Sequence, residues 1–250
     1  MIEILQEFKG DFFILDDGAT EYAINEISAL IRKYYRRVEI ISLKEHAKKI
    51  FENQSELFSS EVMTIALGAG GKNIVSLLSR DFTFPQLCCC TWSRVWGTEY
   101  RTQFQHNLDS IDLCGKQIVI IEDVIASGET LRAVKNYLLE RGASIIKVFA
   151  AVISGASPMI SNQFALNICV GAKLNACGLA LKDDEFSAHW YPAIYSLRHL
   201  LYGEDENPDF YNTISNLYFD GADIKSDIMK VRGLNELYYF SEPSKGKQRG

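Results

Sequence analysis

The sequence predicts an α/β fold, an open and mainly parallel sheet flanked by helices, and two observations carry that reading. Short apolar runs such as Met63–Leu67, Gln117–Ile121 and Ile145–Ile153 lack the alternation of a sheet with one wet face. Between the last two lies Thr130–Arg141, where Leu131, Val134 and Leu138 share one helical face and Gly142 stands where a helix C-cap glycine belongs. A strand–helix–strand unit with strands this apolar implies parallel neighbours covered on both faces.

Taken in order, Phe12–Leu15 reads as a strand, Asp16-Asp17-Gly18 as a turn, and Tyr22–Arg36 as a helix with Ile24, Ile27, Leu30, Ile31 and Tyr34 at helical spacing. Val38–Leu43 is a second strand and Lys44–Phe58 a more polar helix. Met63–Leu67 is a buried strand, interrupted by Gly68-Ala69-Gly70-Gly71, after which Asn73 can cap a helix running through Arg80. Gln86–Val95 is strand-like, and Gly115-Lys116 turns the chain into Gln117–Ile121. Beyond Ser154 the pattern is less regular. Leu166–Val170 is strand-like, Tyr191–Leu201 fits a packing helix with Pro192 in its first turn, and the region reads as an addition at one edge of the sheet. The expected division is an N-terminal segment 1–60, a core 61–155, a C-terminal extension 156–240 and a flexible tail 241–250.

A hydrophobic content of 47% over 250 residues can fill a sizeable core and excludes global disorder. A net charge of −6 argues against a general binder of nucleic acid or membrane surfaces, which would need concentrated Lys and Arg. No apolar run reaches membrane-spanning length, and no N-terminal signal pattern is seen. The adjacent Cys88, Cys89 and Cys90, with Cys114, Cys169 and Cys177, have no metal-site spacing, so reduced, mostly buried thiols in a cytoplasmic protein are expected.

Chemistry concentrates in Val119–Thr130. A buried strand ends in two carboxylates, Glu122 and Asp123, and a loop of small residues then opens onto a helix. Ligands of open parallel sheets bind at the carboxyl ends of strands. The amides of Ala126, Ser127, Gly128, Glu129 and Thr130 would face outward at the helix N-terminus, an arrangement that holds a phosphate. Two acids beside an anion make sense if they accept hydrogen bonds from neutral hydroxyls, as a ribose would offer. They would also favour positive charge developing at an anomeric carbon. The alternative is a strand ending in a polar turn before a capped helix.

Ile120–Thr130 closely resembles the phosphoribosyl pyrophosphate (PRPP) signature of type I phosphoribosyltransferases. The shared features are an apolar strand, two acids, two apolar residues and a small-residue loop ending in Gly-x-Thr. The resemblance implies a parallel-sheet core with a variable hood. It also implies displacement of pyrophosphate from PRPP by a purine or pyrimidine base in the presence of Mg²⁺, with no metal ligand directly assigned. On this pattern Glu122 and Asp123 match the ribose-binding catalytic acids, and Ala126–Thr130 match the 5-phosphate loop. Gly68, Ala69, Gly70, Gly71 and Lys72 are placed for the pyrophosphate loop, although a tight strand-to-helix turn explains them equally well.

Gly97–Cys114 occupies the slot of a mobile loop, and Arg94 and Arg101 are candidates to hold departing pyrophosphate. Ala126 stands where 6-oxopurine enzymes carry an acid, so any general acid or base must come from elsewhere. Base selection would fall to the hood, where Phe186, Trp190, Tyr191, Tyr195 and Tyr202 could stack. Lys182, Asp183, Asp184, Glu185, Arg198 and His199 could add polar contacts. A homodimer is expected. The alternative function is a non-catalytic PRPP- or nucleotide-sensing regulator, while PRPP synthesis would call for two similar halves, and no internal repeat is visible.

Overall fold

The computed structural model describes residues 1–54, 57–96, 102–157, 166–176 and 193–241. The chain divides into two units, one of Met1–Gly10 with Ser42–Pro192 and one of Asp11–Ile41 with Ala193–Gly250. Among the described residues, no helix is long and apolar enough to cross a membrane.

The first unit is built on six strands: β1 (Ile2–Gly10), β4 (Val62–Leu67), β5 (Leu87–Cys90), β8 (Gln117–Ile125), β9 (Ser144–Ser154) and β10 (Ile168–Ala176). Their order is β1-β10-β9-β8-β4-β5, and every neighbouring pair is parallel. Fully buried Ile118, Ile120, Val148 and Val170 pack with Leu131, Val134 and Leu138 of helix α4 (Glu129–Glu140). Each such side chain contributes about 1.5–3 kcal/mol of hydrophobic stabilisation. Helix α2 (Leu43–Asn53) adds a second aromatic core, in which Phe51 meets Phe58, Phe82, Phe84 and Phe149 at ring separations of 4.6–5.7 Å. Gly142 ends α4 as its position implies: its φ is +77° and Ala143 N–H reaches back to the Leu138 carbonyl at 3.0 Å.

Several boundaries differ from the sequence expectation. Helix α3 spans Gly68–Leu78, so the four small residues form its first turn instead of a break before Asn73. Gln86–Val95 is two strands. β5 joins the parallel sheet, and β6 (Trp92–Trp96) turns away to pair antiparallel with β7 (Thr102–His106), inside the slot expected to be a loop. Thr91 separates them, its N–H donating to Asn107 Oδ1 at 3.0 Å. The region after Ser154 is not simply an edge addition. β10 lies inside the sheet, and the edge is β1, whose charges obscure its alternation in the sequence. Glu7 holds β1 in register by accepting from Lys173 and Asn175 at 3.2 Å. Of the described cysteines, Cys90 and Cys169 are buried, whereas Cys89 and Cys114 are exposed, and all are free thiols.

In the second unit, β11 (Ala193–Ser196), β2 (Phe12–Asp16) and β3 (Val38–Ser42) form a small sheet. Around it lie helices α1 (Glu21–Ile31), α5 (Leu197–Glu206), α6 (Phe210–Tyr218) and α7 (Lys225–Ser241). Phe12, Ile14, Ile27, Leu197, Leu200, Tyr211 and Ile214 share its core. Tyr191–Leu201 is therefore not one helix. Ala193–Ser196 pairs parallel with β2, and Ser196 then caps α5 by accepting from His199 N–H at 3.1 Å.

The glycines of α3 have a packing cause. A Cβ on Gly71 would lie 2.3 Å from the Ile121 carbonyl oxygen and 3.0 Å from the Ala66 carbonyl carbon, both backbone atoms of the sheet. Gly71→Ala therefore forces α3 off the sheet. We expect a loss on the order of 1–3 kcal/mol, measured by urea denaturation, that no neighbouring side-chain substitution restores.

Candidate functional site

β8 continues past Ile121 because β9 continues beside it: Glu122 pairs with Ala150, Val124 with Val152 and Ile125 with Ile153. The two acids thus lie within the strand instead of just beyond it. Successive strand residues face opposite sides of a sheet, and here Glu122 borders a cavity while the Asp123 carboxylate lies against α3. Glu122 Oε1 accepts the Asp123 N–H at 3.3 Å, and Asp123 Oδ1 accepts the Val124 N–H at 2.7 Å.

After Ile125 the chain turns through Ala126-Ser127-Gly128 into α4. Gly128, at φ +77° and ψ +4°, occupies the left-handed region that favours glycine. Ser127 Oγ accepts from Glu129 N–H at 3.3 Å, and the Gly128 carbonyl accepts the Arg132 N–H at 2.9 Å. A helix N-terminus carries unsatisfied N–H groups and partial positive charge, a setting suited to an anion.

The turn, the strand end and the start of α3 enclose a cavity of about 260 Å³. It is bordered by residues 67–70, Trp92, Glu122 and residues 124–131. Ala126, Ser127, Gly128, Glu129 and Thr130 are therefore gathered with Gly68, Ala69, Gly70 and Glu122 in one place. Asp123, Gly71 and Lys72 do not border it: Gly71 is held beneath Ile121, and Lys72 lies near Cys88 and Cys90. Arg94 is in β6, its backbone opposite Phe104. Arg101 lies outside the described residues, as do Phe186, Trp190, Tyr191 and the polar group 182–185. Sequence reasoning missed Trp92, which lies inside the strand-like run Gln86–Val95 with no local signal to mark it.

Among the described residues bordering the cavity, the charged ones are Glu122 and Glu129. Burial pushes the Glu122 carboxyl well above the ordinary carboxylate range, and the neighbouring Asp123 charge pushes it further. Such a wall suits neutral hydroxyls, or an anion that brings its own cation. Among the described residues, no three His, Cys, Asp or Glu side chains gather as a metal cage. The adjacent carboxylates are nonetheless hard oxygen donors, the kind that shares Mg²⁺ with substrate oxygens.

The family model for the phosphoribosyl transferase domain matches residues 34–163, just over half of the chain. No curated protein matches it. Similar solved structures include the purine phosphoribosyltransferase of Pyrococcus horikoshii Ot3, with 15% identity, a TM-score of 0.43, and coverage of 75% of this chain and 93% of that one. The hypoxanthine-guanine phosphoribosyltransferase (hpt-2) of Bacillus anthracis gives 19% identity, a TM-score of 0.42, and coverage of 53% and 77%. The AQ2163 protein of Aquifex aeolicus gives 18% identity and a TM-score of 0.38, over 48% of this chain and 58% of that one.

Two outcomes follow from this geometry. A Cβ on Gly70 would lie 2.0 Å from Asp123 Oδ1, a side-chain atom. Gly70→Ala should therefore be destabilising alone and substantially rescued by Asp123→Ala, in contrast to Gly71→Ala; a double-mutant cycle in urea measures the coupling. The Glu122 carboxyl, raised above its unfolded value, contributes stability that is complete below the unfolded carboxylate range and is lost as pH rises through the folded value. Glu122→Gln should flatten that decline and raise the thermal midpoint at neutral pH. The expected rise is roughly 2–4 °C per kcal/mol recovered, read by calorimetric scans between pH 4 and pH 9.

Proposed function

We propose that this chain, which belongs to the phosphoribosyl transferase domain family, binds PRPP in the cavity at the start of α4 and transfers its phosphoribosyl group to a purine or pyrimidine base. The observation that carries the reading is the convergence of the 126–130 turn, Glu122 and the Gly68–Gly70 turn on one cavity at the carboxyl ends of β4 and β8. In this reading the amides at the α4 N-terminus hold the 5-phosphate. Glu122, at the cavity wall, accepts hydrogen bonds from the ribose hydroxyls, and Asp123, behind it against α3, adds the negative charge that favours a positive anomeric carbon. The amides of the first turn of α3 receive the pyrophosphate.

A base nitrogen forms the new bond to the anomeric carbon, while the bond to pyrophosphate breaks and its electron pair leaves with that group. Mg²⁺ bound with PRPP would supply charge neutralisation for the leaving group, and Glu122 at the cavity wall, with Asp123 beside it, are the carboxyls that would share it with ligand oxygens. Ala126 supplies no acid to manage the proton released by the base, so this chain does not reproduce the 6-oxopurine arrangement. That same residue favours a second reading, a PRPP- or nucleotide-sensing regulator without turnover.

Calorimetric titration of Mg²⁺–PRPP into the protein, followed by pyrophosphate release against a panel of bases, separates the two. Release with one base establishes transfer and names its acceptor, binding with no release supports the sensor, and absence of binding overturns both. The Glu122→Gln, Asp123→Asn double variant should keep its circular dichroism spectrum and lose at least about tenfold in PRPP affinity, roughly 1.4 kcal/mol. Unchanged affinity and activity in that variant would remove the acids from the site.

A further inference from the structure

Trp92 begins the β6–β7 ribbon and borders the cavity beside the α4 turn, with its backbone carbonyl next to Gly68. It is also the inner member of an aromatic stack. Its ring lies on His106, the last residue of β7, at 4.7 Å and 12°. His106 in turn packs on Tyr137 of α4 at 4.3 Å, and Tyr137 meets Trp92 edge-on at 5.8 Å. The outer end of the stack is fixed. Tyr137 donates its hydroxyl to Asp109 Oδ1 at 2.7 Å, and Arg141 donates to the same oxygen at 2.6 Å while its guanidinium lies 5.0 Å from the Tyr137 ring centre. The Tyr137 hydrogen bond holds the Asp109 carboxyl below the ordinary range. His106 Nδ1 accepts the Leu108 N–H at 3.4 Å, which orients the imidazole.

One helix therefore offers its N-terminus to the cavity and, two turns later, the side chain that buttresses the ribbon. A stack of offset and edge-on rings has a preferred geometry and resists sliding, which a lone tryptophan at a strand start would not. Asn107 closes the ribbon's base, accepting from Thr91 N–H.

We propose that Trp92 is the apolar wall against which the pentose of the bound ligand packs, and that Tyr137 is a positioning residue that fixes Trp92 through His106. The proposal rests on the PRPP reading above and adds to it a residue outside the phosphate loop and acid pair. A ribose presents C–H groups on one face and hydroxyls at its edge. Glu122 meets the hydroxyls in that reading, and an indole suits the apolar face.

The test uses the full chain and Mg²⁺–PRPP. The chain has three tryptophans, so ligand-induced emission change in wild type is compared with Trp92→Phe to isolate the Trp92 signal. Tyr137→Phe, which keeps the ring but loses the hydroxyl bond to Asp109, should fall between wild type and Tyr137→Leu in affinity and emission change. Tyr137→Leu should lose both the Trp92 signal and about tenfold in affinity, and Trp92→Leu should lose affinity to a similar degree. A thermal midpoint for each variant identifies any that fails to fold, and Trp92→Phe and Tyr137→Phe keep the test decisive in that case. Wild-type binding with an emission change unaltered by Trp92→Phe overturns the wall. Wild-type behaviour of Tyr137→Leu overturns the positioning role. No binding by wild type would overturn the functional reading itself, and this assignment with it.

Discussion

The approach of α3 to β8 is the constraint on which the rest of the candidate site depends. The first turn of that helix lies so near the sheet that Gly71 sits on a backbone carbonyl of β8 and Gly70 on the Asp123 carboxylate. Because the contact is backbone to backbone at Gly71, it fixes the helix as a rigid body relative to the strand. That brings Gly68, Ala69 and Gly70 to the same cavity as the turn after β8, although some 55 residues part them in the chain. Two helix N-termini thus open near one another at the carboxyl edge of adjacent parallel strands, where their partial positive charges add.

The electrostatics follow from this packing. With Glu122 and Glu129 as the charged residues described at the cavity, attraction for an anion must come from oriented amides and from any cation the ligand brings. The Asp123 carboxylate lies against the first turn of α3. At Glu122, burial and the neighbouring Asp123 charge outweigh the backbone hydrogen bond it accepts, and its proton is held. One strand therefore carries two adjacent acids, and the charge of the second raises the first.

Much of this was legible in the sequence because apolar runs and small residues are local signals. β8, α4, the Gly142 cap and the 126–130 turn all declare themselves by composition and spacing. What escaped was set by partners distant in sequence. The end of β8 depends on β9 running alongside to Ser154, which a local pattern cannot report. The glycines after β4 read as a break because nothing nearby reveals that β8 will press on them. β1 was hidden since its charges pair across strands, as Glu7 does with Lys173, instead of marking a solvated loop. Trp92 was hidden since its meaning lies in His106 and Tyr137, each brought to it by a different element.

These departures are not spread evenly, and their placement bears on function. Stability alone would fill position 122 with an apolar residue, since Ile118 and Ile120 on the same strand are fully buried in the α4 core. Instead the strand carries an acid there, beside another acid, with burial opposing its ionisation. That acid faces the cavity, and a fold whose local rules hold elsewhere in the sheet departs from them where ligands of parallel sheets bind. The coincidence of that acid with the cavity at the α4 N-terminus is the physical ground of the proposed site.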